Sequence, residues 1–161
     1  MLFDNAYFIN GTAYAGKSTM VKLLAERYDG VSRECETLEL RLLPEICSAG
    51  KPVFVDTNIS PQTLKTVAAP HHVLIMLADP EISVKRFFER PDREKQFLYR
   101  LILDEPDPAA AMENYRRGLM RINSRERYDR FLHSGFPVLL RDEKRTVEET
   151  LALVEKVFGL T

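Results

Sequence analysis

The sequence predicts an α/β protein: a three-layer α/β/α fold on a parallel sheet of four or five strands, with a helical lid. Three observations predict it. The apolar runs Pro52–Val55 and Val73–Ala78 are short and solid, as strands buried on both faces are. Segments with apolar residues at helical spacing alternate with such runs, the pattern of β-α units. Between a β-type run, Tyr7–Asn10, and a helical one, Met20–Tyr28, stands the glycine-bearing stretch Gly11-Thr12-Ala13-Tyr14-Ala15-Gly16-Lys17-Ser18-Thr19.

Each element has a local cause. The first helix runs to about Tyr28, where Asp29-Gly30 stops it. Residues 31–35 read either as a short second strand or as a loop. From 36 to 49, Leu38, Leu42, Leu43, Ile46 and Cys47 share a helical face, with a kink at Pro44 and an end at Gly50. After the strand ending at Asp56, Ser60 caps a helix with Pro61 in its first turn, and Pro70 ends it. Asp79-Pro80 repeats that cap signal after the Val73–Ala78 strand. Pro91 breaks the resulting helix, and Asp92 caps a continuation through Ile102. Beyond the loop at 104–108, one long helix is expected to about Ser134, carried by Met112, Tyr115, Leu119, Ile122, Phe131 and Leu132. A last strand spans 136–140. Thr146-x-x-Glu149 forms a capping box for a final helix whose core face is Leu151, Val154, Val157 and Phe158.

Bulk properties bound the function. A chain of 161 residues with 45% hydrophobic and 29% charged content is expected to form a single domain, 1–161, with a lid at about 86–127. A net charge of −1 offers no nucleic-acid surface. No apolar run is long enough for a bilayer, and Met1–Asn5 lacks the basic-then-apolar pattern of a secretory signal, so no membrane association is expected. Two cysteines, Cys35 and Cys47, are too few for a disulfide scaffold or a metal cluster and fit free thiols in a cytoplasmic protein. Monomer and homodimer both stay open.

The chemistry concentrates at strand ends. Gly11 to Thr19 matches G-x-x-x-x-G-K-[ST] at every fixed position. A loop that wraps phosphates must turn successive N–H groups inward, which glycine permits, and the following helix adds its positive dipole end. Lys17 then faces the β- and γ-phosphates, and the Ser18 hydroxyl is the expected Mg²⁺ ligand. Asp56 closes an apolar strand beside that loop. It reads as a Mg²⁺ ligand, as a base for an attacking hydroxyl, or as a simple turn cap. Asp79 is accounted for as a helix cap. Glu34 is an acceptor-site candidate beside the plainer reading of a solvated loop, with Glu36, Arg33 and Arg41 around it. Arg86 and Arg90 share a helical face and can present two charged forks to a transferring phosphoryl group. Arg116, Arg117, Arg121, Arg125 and Arg127 read as a solvated face. Surface or cap roles suffice for His71, His72 and His133.

On the phosphate loop Asn10–Thr19, the Val73–Pro80 strand and turn, and Arg86-x-x-x-Arg90, the chain resembles the nucleoside and nucleotide kinases of the P-loop NTPase superfamily. The resemblance implies a five-stranded parallel sheet, a lid whose arginines clamp phosphates, and ATP with Mg²⁺ as cofactors. It implies phosphate transfer to a small-molecule acceptor, a nucleoside or nucleotide first and another metabolite or an antibiotic hydroxyl next. Departures are plain: Asp56-Thr57-Asn58-Ile59-Ser60 stands where adenylate kinases carry glycine-proline-arginine and deoxynucleoside kinases glutamate-arginine-serine. In that scheme Lys17, Asp56, Arg86 and Arg90 are catalytic, Gly11 to Thr19 hold the donor, and Ser18 with Asp56 holds the metal. A nucleotide-hydrolysing switch and a nucleotide-binding regulator are the rival classes.

Overall fold

The computed structural model describes residues 3–35, 50–89, 91 and 93–161. The helix expected over 36–49, the cap at Asp92 and the candidate Arg90 lie outside the described residues. In chain order the described elements begin with β1 (Ala6–Gly11), α1 (Lys17–Arg27), β2 (Val31–Cys35) and β3 (Val53–Thr57). Next come α2 (Pro61–Val67), β4 (Val73–Leu77), α3 (Pro80–Lys85) and α4 (Arg93–Leu103). The chain continues through α5 (Pro108–Ile122), α6 (Arg125–Leu132), β5 (Val138–Leu140) and α7 (Val147–Phe158), with short 3₁₀ turns at Pro70–His72 and Phe87–Glu89.

The five strands pair in parallel in the order β2-β3-β1-β4-β5. The ambiguous residues 31–35 are therefore an edge strand, and pairing with β3 rather than local pattern makes them one. Every residue of β3 and β4 is buried. Their side chains alternate between two cores, as the period of two in a strand requires. Phe8, Val53, Val55, Val73, Ile75 and Leu77 join Leu64 and Phe131 on one face of the sheet. Ile9, Phe54, Leu74 and Met76 meet Met20, Val21, Leu24, Leu151, Val154 and Phe158 on the other. Full burial of side chains such as Phe8 and Phe54 stabilises the fold by roughly 1.5–3 kcal/mol each before entropy is counted. This is the expected three-layer architecture.

Caps set the helix ends. Ser60 accepts from Gln62 N, Asp79 from Glu81 N and Ile82 N, and Thr146 forms the full capping box with Glu149. The single long helix expected to Ser134 is instead two. Ser124 Oγ accepts from Arg127 N at 3.2 Å and starts α6, while Asn123 closes α5. The serine offers the backbone an alternative partner in mid-segment, which apolar periodicity alone does not register. Between Arg86 and α5, Phe88 lies 5.3 Å from Tyr99 and 5.4 Å from Tyr115, so this segment carries its own aromatic cluster. Among the described residues no helix is long and apolar enough to cross a membrane.

His72 is half-buried against Tyr7, with ring centroids 4.4 Å apart, and its Nδ1 is buried with no hydrogen-bond partner among the described residues. Burial first, then neighbouring His71, holds its pKa below the usual 6.5. Below that value the unfolded chain takes up the proton before the folded one, so stability is lost as pH falls towards the depressed folded value. We expect a lower urea midpoint at about pH 5.5 than at about pH 7.5, and a smaller difference in His72→Phe. Equal differences in the two proteins would assign the acid sensitivity elsewhere.

Candidate functional site

The carboxyl ends of β1, β3 and β4 meet at one edge of the sheet, where parallel α/β sheets hold ligands. Gly11 lies so close to β4 that an added Cβ would stand 1.9 Å from the Met76 carbonyl oxygen, at φ +137°. Thr12, almost fully buried, continues the junction. Its N–H donates to Met76 O at 3.2 Å and its hydroxyl accepts from Ala78 N at 3.0 Å. Asn10 ties in the third strand end. Its Oδ1 accepts from Gly11 N and its Nδ2 donates to Ile59 O, both at 2.8 Å, within the buried core. The loop at 12–16 thus leaves from a rigid frame and turns at Gly16, φ +91°, straight into α1.

Lys17 reaches back across the loop. Its Nζ donates to Thr12 O at 3.1 Å and stands 3.5 Å from Asp56 Oδ1, with both side chains only 12% exposed. Ser18 follows in the first turn of α1. Glu34 pairs in register with Asp56 across β2 and β3, so both acids leave the sheet side by side. Lys17, Ser18, Glu34, Asp56, Asn58 and Lys95 line one cleft of about 540 Å³ between the loop and α4. Among the described residues no cluster of three or more acids, histidines or cysteines could cage a metal. Ser18 and Asp56 instead fit an ion such as Mg²⁺, which takes one or two protein oxygens and completes its shell with phosphates and water.

A second, smaller cleft of about 190 Å³ lies on the other side of the loop, lined by Gly16, Thr19, Arg141, Glu143, Arg145 and Thr146. Tyr14, in the left-handed region at φ +63°, lines the larger cleft and contacts Arg141 of the smaller one. Arg141 donates to Tyr14 O at 2.7 Å while its guanidinium covers the Tyr14 ring at 4.0 Å. Glu143 accepts from Arg141 Nε at 2.9 Å and from Arg86 Nη1 at 3.1 Å, and Arg86 also donates to the Tyr14 hydroxyl at 3.4 Å.

The structure brings Gly11 to Thr19, Asp56 and Glu34 together. It puts Arg86 on Tyr14 and Glu143 instead of in the larger cleft, and Arg90 lies outside the described residues. Asp79 caps α3 and stands 3.7 Å from Arg125. One of the arginines read as a solvated face has a structural task, since Arg127 donates to Asn58 O at 3.1 Å behind Asp56. Sequence reasoning missed Arg141 and Glu143. Their one signal was position, directly after the last strand of a sheet whose other carboxyl ends carry the site.

No family model and no curated protein matches this chain. Solved structures do. Shikimate kinase from Acinetobacter baumannii, in complex with shikimate, superposes with a TM-score of 0.52 at 15% identity, over 97% of this chain and 92% of that one. Shikimate kinase from Bacteroides thetaiotaomicron gives a TM-score of 0.49 at 14% identity, over 96% of each chain. The YorR protein from Bacillus subtilis, in complex with phosphorylated GDP, gives 0.49 at 13% identity, again over 96% of each. The likeness to the Acinetobacter enzyme is one of fold: this chain has the P-loop kinase-like α/β fold, with a five-stranded parallel sheet flanked by helices.

The frame makes a graded prediction. Gly11→Ala must push against backbone as well as adopt a strained φ, whereas Gly16→Ala meets only the tip of Met76 at 3.9 Å. We expect Gly16→Ala to cost about 1–2 kcal/mol and Gly11→Ala clearly more, read from denaturant midpoints. A Gly11→Ala protein as stable as Gly16→Ala would contradict the close approach.

Proposed function

We propose that this chain is an ATP- and Mg²⁺-dependent phosphotransferase that moves the γ-phosphate to a hydroxyl or phosphate of a small acceptor. The observation that carries the reading is the larger cleft, in which a phosphate loop, its lysine and the carboxylates of Glu34, Asp56 and Glu94 face one space the size of a small molecule. A nucleotide-hydrolysing protein needs room only for water there.

The loop N–H groups and Lys17 hold the β- and γ-phosphates, and Ser18 and Asp56 hold Mg²⁺, which neutralises charge on the phosphate oxygens. The smaller cleft between Thr19 and Thr146 takes the nucleoside end of the donor. Asp56 is already engaged by Lys17, whereas the Glu34 carboxylate makes no hydrogen bond or ion pair among the described residues. Glu34 is therefore the carboxylate available to orient the acceptor hydroxyl and accept its proton. Arg86 joins the phosphates by exchanging Glu143 for a phosphoryl oxygen; Arg90, outside the described residues, is assigned the same role from its sequence spacing alone. Tyr14 is the one aromatic ring among the described residues that line the larger cleft. That lining suits a small polar metabolite or antibiotic hydroxyl as well as a nucleoside or nucleotide, whose base needs a stacking partner.

The test is ATP consumption with Mg²⁺ across nucleosides, nucleoside monophosphates, small hydroxyl metabolites and aminoglycosides. We expect turnover with one acceptor class, and its loss by at least about 100-fold in Lys17→Ala and in the charge-conserving Lys17→Arg, with circular dichroism unchanged. Consumption independent of acceptor would replace this reading with hydrolysis, and binding without consumption with a regulator. Within the transferase reading, Glu34→Gln should lower kcat by about 10²- to 10⁴-fold with ATP affinity unchanged. Full activity in Glu34→Gln with loss in Asp56→Asn would return the base role to Asp56.

A further inference from the structure

A third cleft has no part in the phosphate site. It lies between α3 and the junction of α5 with α6 and encloses about 570 Å³, within the range of small-molecule pockets. Pro80, Val84 and Met120 form its apolar floor, and Met120 is 60% exposed, a large apolar side chain that folding leaves uncovered. Lys85 and Arg116 stand at its edge, and neither makes an ion pair or hydrogen bond with its side chain among the described residues. Arg125 is present too, 3.7 Å from Asp79, and Glu81 lines the rim. Three cations against these two carboxylates leave one positive charge in excess.

The floor also holds a buried polar group. Asn123 is only 5% exposed, and its amide donates to Leu119 O at 3.1 Å. Its Oδ1 accepts no hydrogen bond from the described residues and is left to solvent in the cleft that Asn123 lines. An uncovered apolar floor, two cations without partners among the described residues and a solvent-reached acceptor converge on one space, and they ask for complementary chemistry.

We propose that this cleft is a second binding site, for a small anionic molecule with an apolar body. Its carboxylate or phosphate lies against Lys85 and Arg116, and its apolar part covers Met120 and Val84. A donor on the ligand satisfies Asn123. The site is independent of the transferase reading. It lies across α3 from the phosphate loop, which α3 touches through Ser83, whose hydroxyl is 3.3 Å from Ala13 O and 2.8 Å from Asp79 O.

The probe is 1-anilinonaphthalene-8-sulfonate, an aromatic anion that fluoresces when desolvated. We expect saturable one-to-one binding by the folded chain, not displaced by excess ATP with Mg²⁺. Affinity should fall about tenfold or more in Arg116→Glu and in Met120→Glu, the scale of one charge-assisted contact. Phe97→Glu, on the exposed apolar face of α4, should leave it unchanged. Displacement by ATP would put the probe in a nucleotide cleft, and sensitivity to Phe97→Glu alone would put it on α4. Either result, or affinity unchanged in both cleft variants, or no saturable binding by proteins with native circular dichroism, would overturn the proposal.

Discussion

The approach of Gly11 to the Met76 carbonyl is the contact on which the rest of the site depends. Two parallel strands come together so closely at their carboxyl ends that one of them has no room for a side chain. Thr12 then bonds to Ala78, and Asn10 bonds to the loop after β3. Three strand ends are locked before the phosphate loop begins. A loop of backbone N–H groups binds phosphate well only if those groups are aimed beforehand, because ordering them at binding would consume the affinity. The buried polar residues of this edge, which would be expensive anywhere else in the core, supply that order.

Electrostatics follow from the same geometry. Lys17 and Asp56 are both nearly buried, and each would be costly alone. Their pairing keeps the cleft close to neutral while holding the lysine amine across the loop. In the proposed reaction a nucleotide with its metal would bring both signs of charge to this pair, so each partner would gain a new neighbour without either being left bare.

On the other side of the loop, Glu143 stands between Arg86 and Arg141, and Tyr14 touches both arginines. These contacts join the loop, the start of the segment after α3 and the chain after β5. Arg86 and Glu143 remain well exposed, so the pair is worth little to stability and exchanges readily. That suits a cation whose proposed partner is a ligand.

The local signals written in consecutive residues were legible without coordinates. The G-x-x-x-x-G-K-S spacing, the buried runs ending at Asp56 and Ala78, and the Ser60, Asp79 and Thr146 caps depend on neighbours within one turn or one strand, and all stand where expected. The strand at 31–35 was not legible, because its partner β3 lies about twenty residues on and supplies the hydrogen bonds that define it. Nor was the pairing of Glu34 with Asp56, the break at Asn123-Ser124, or the capture of Arg86 by Glu143, 57 residues away. Sequence alone determined that a phosphate loop would join a buried strand to a helix, since backbone sterics and side-chain periodicity act locally. Only the tertiary structure decided which acids share the cleft and which arginines stand outside it, because strand order and long-range ion pairs are set by how the layers pack.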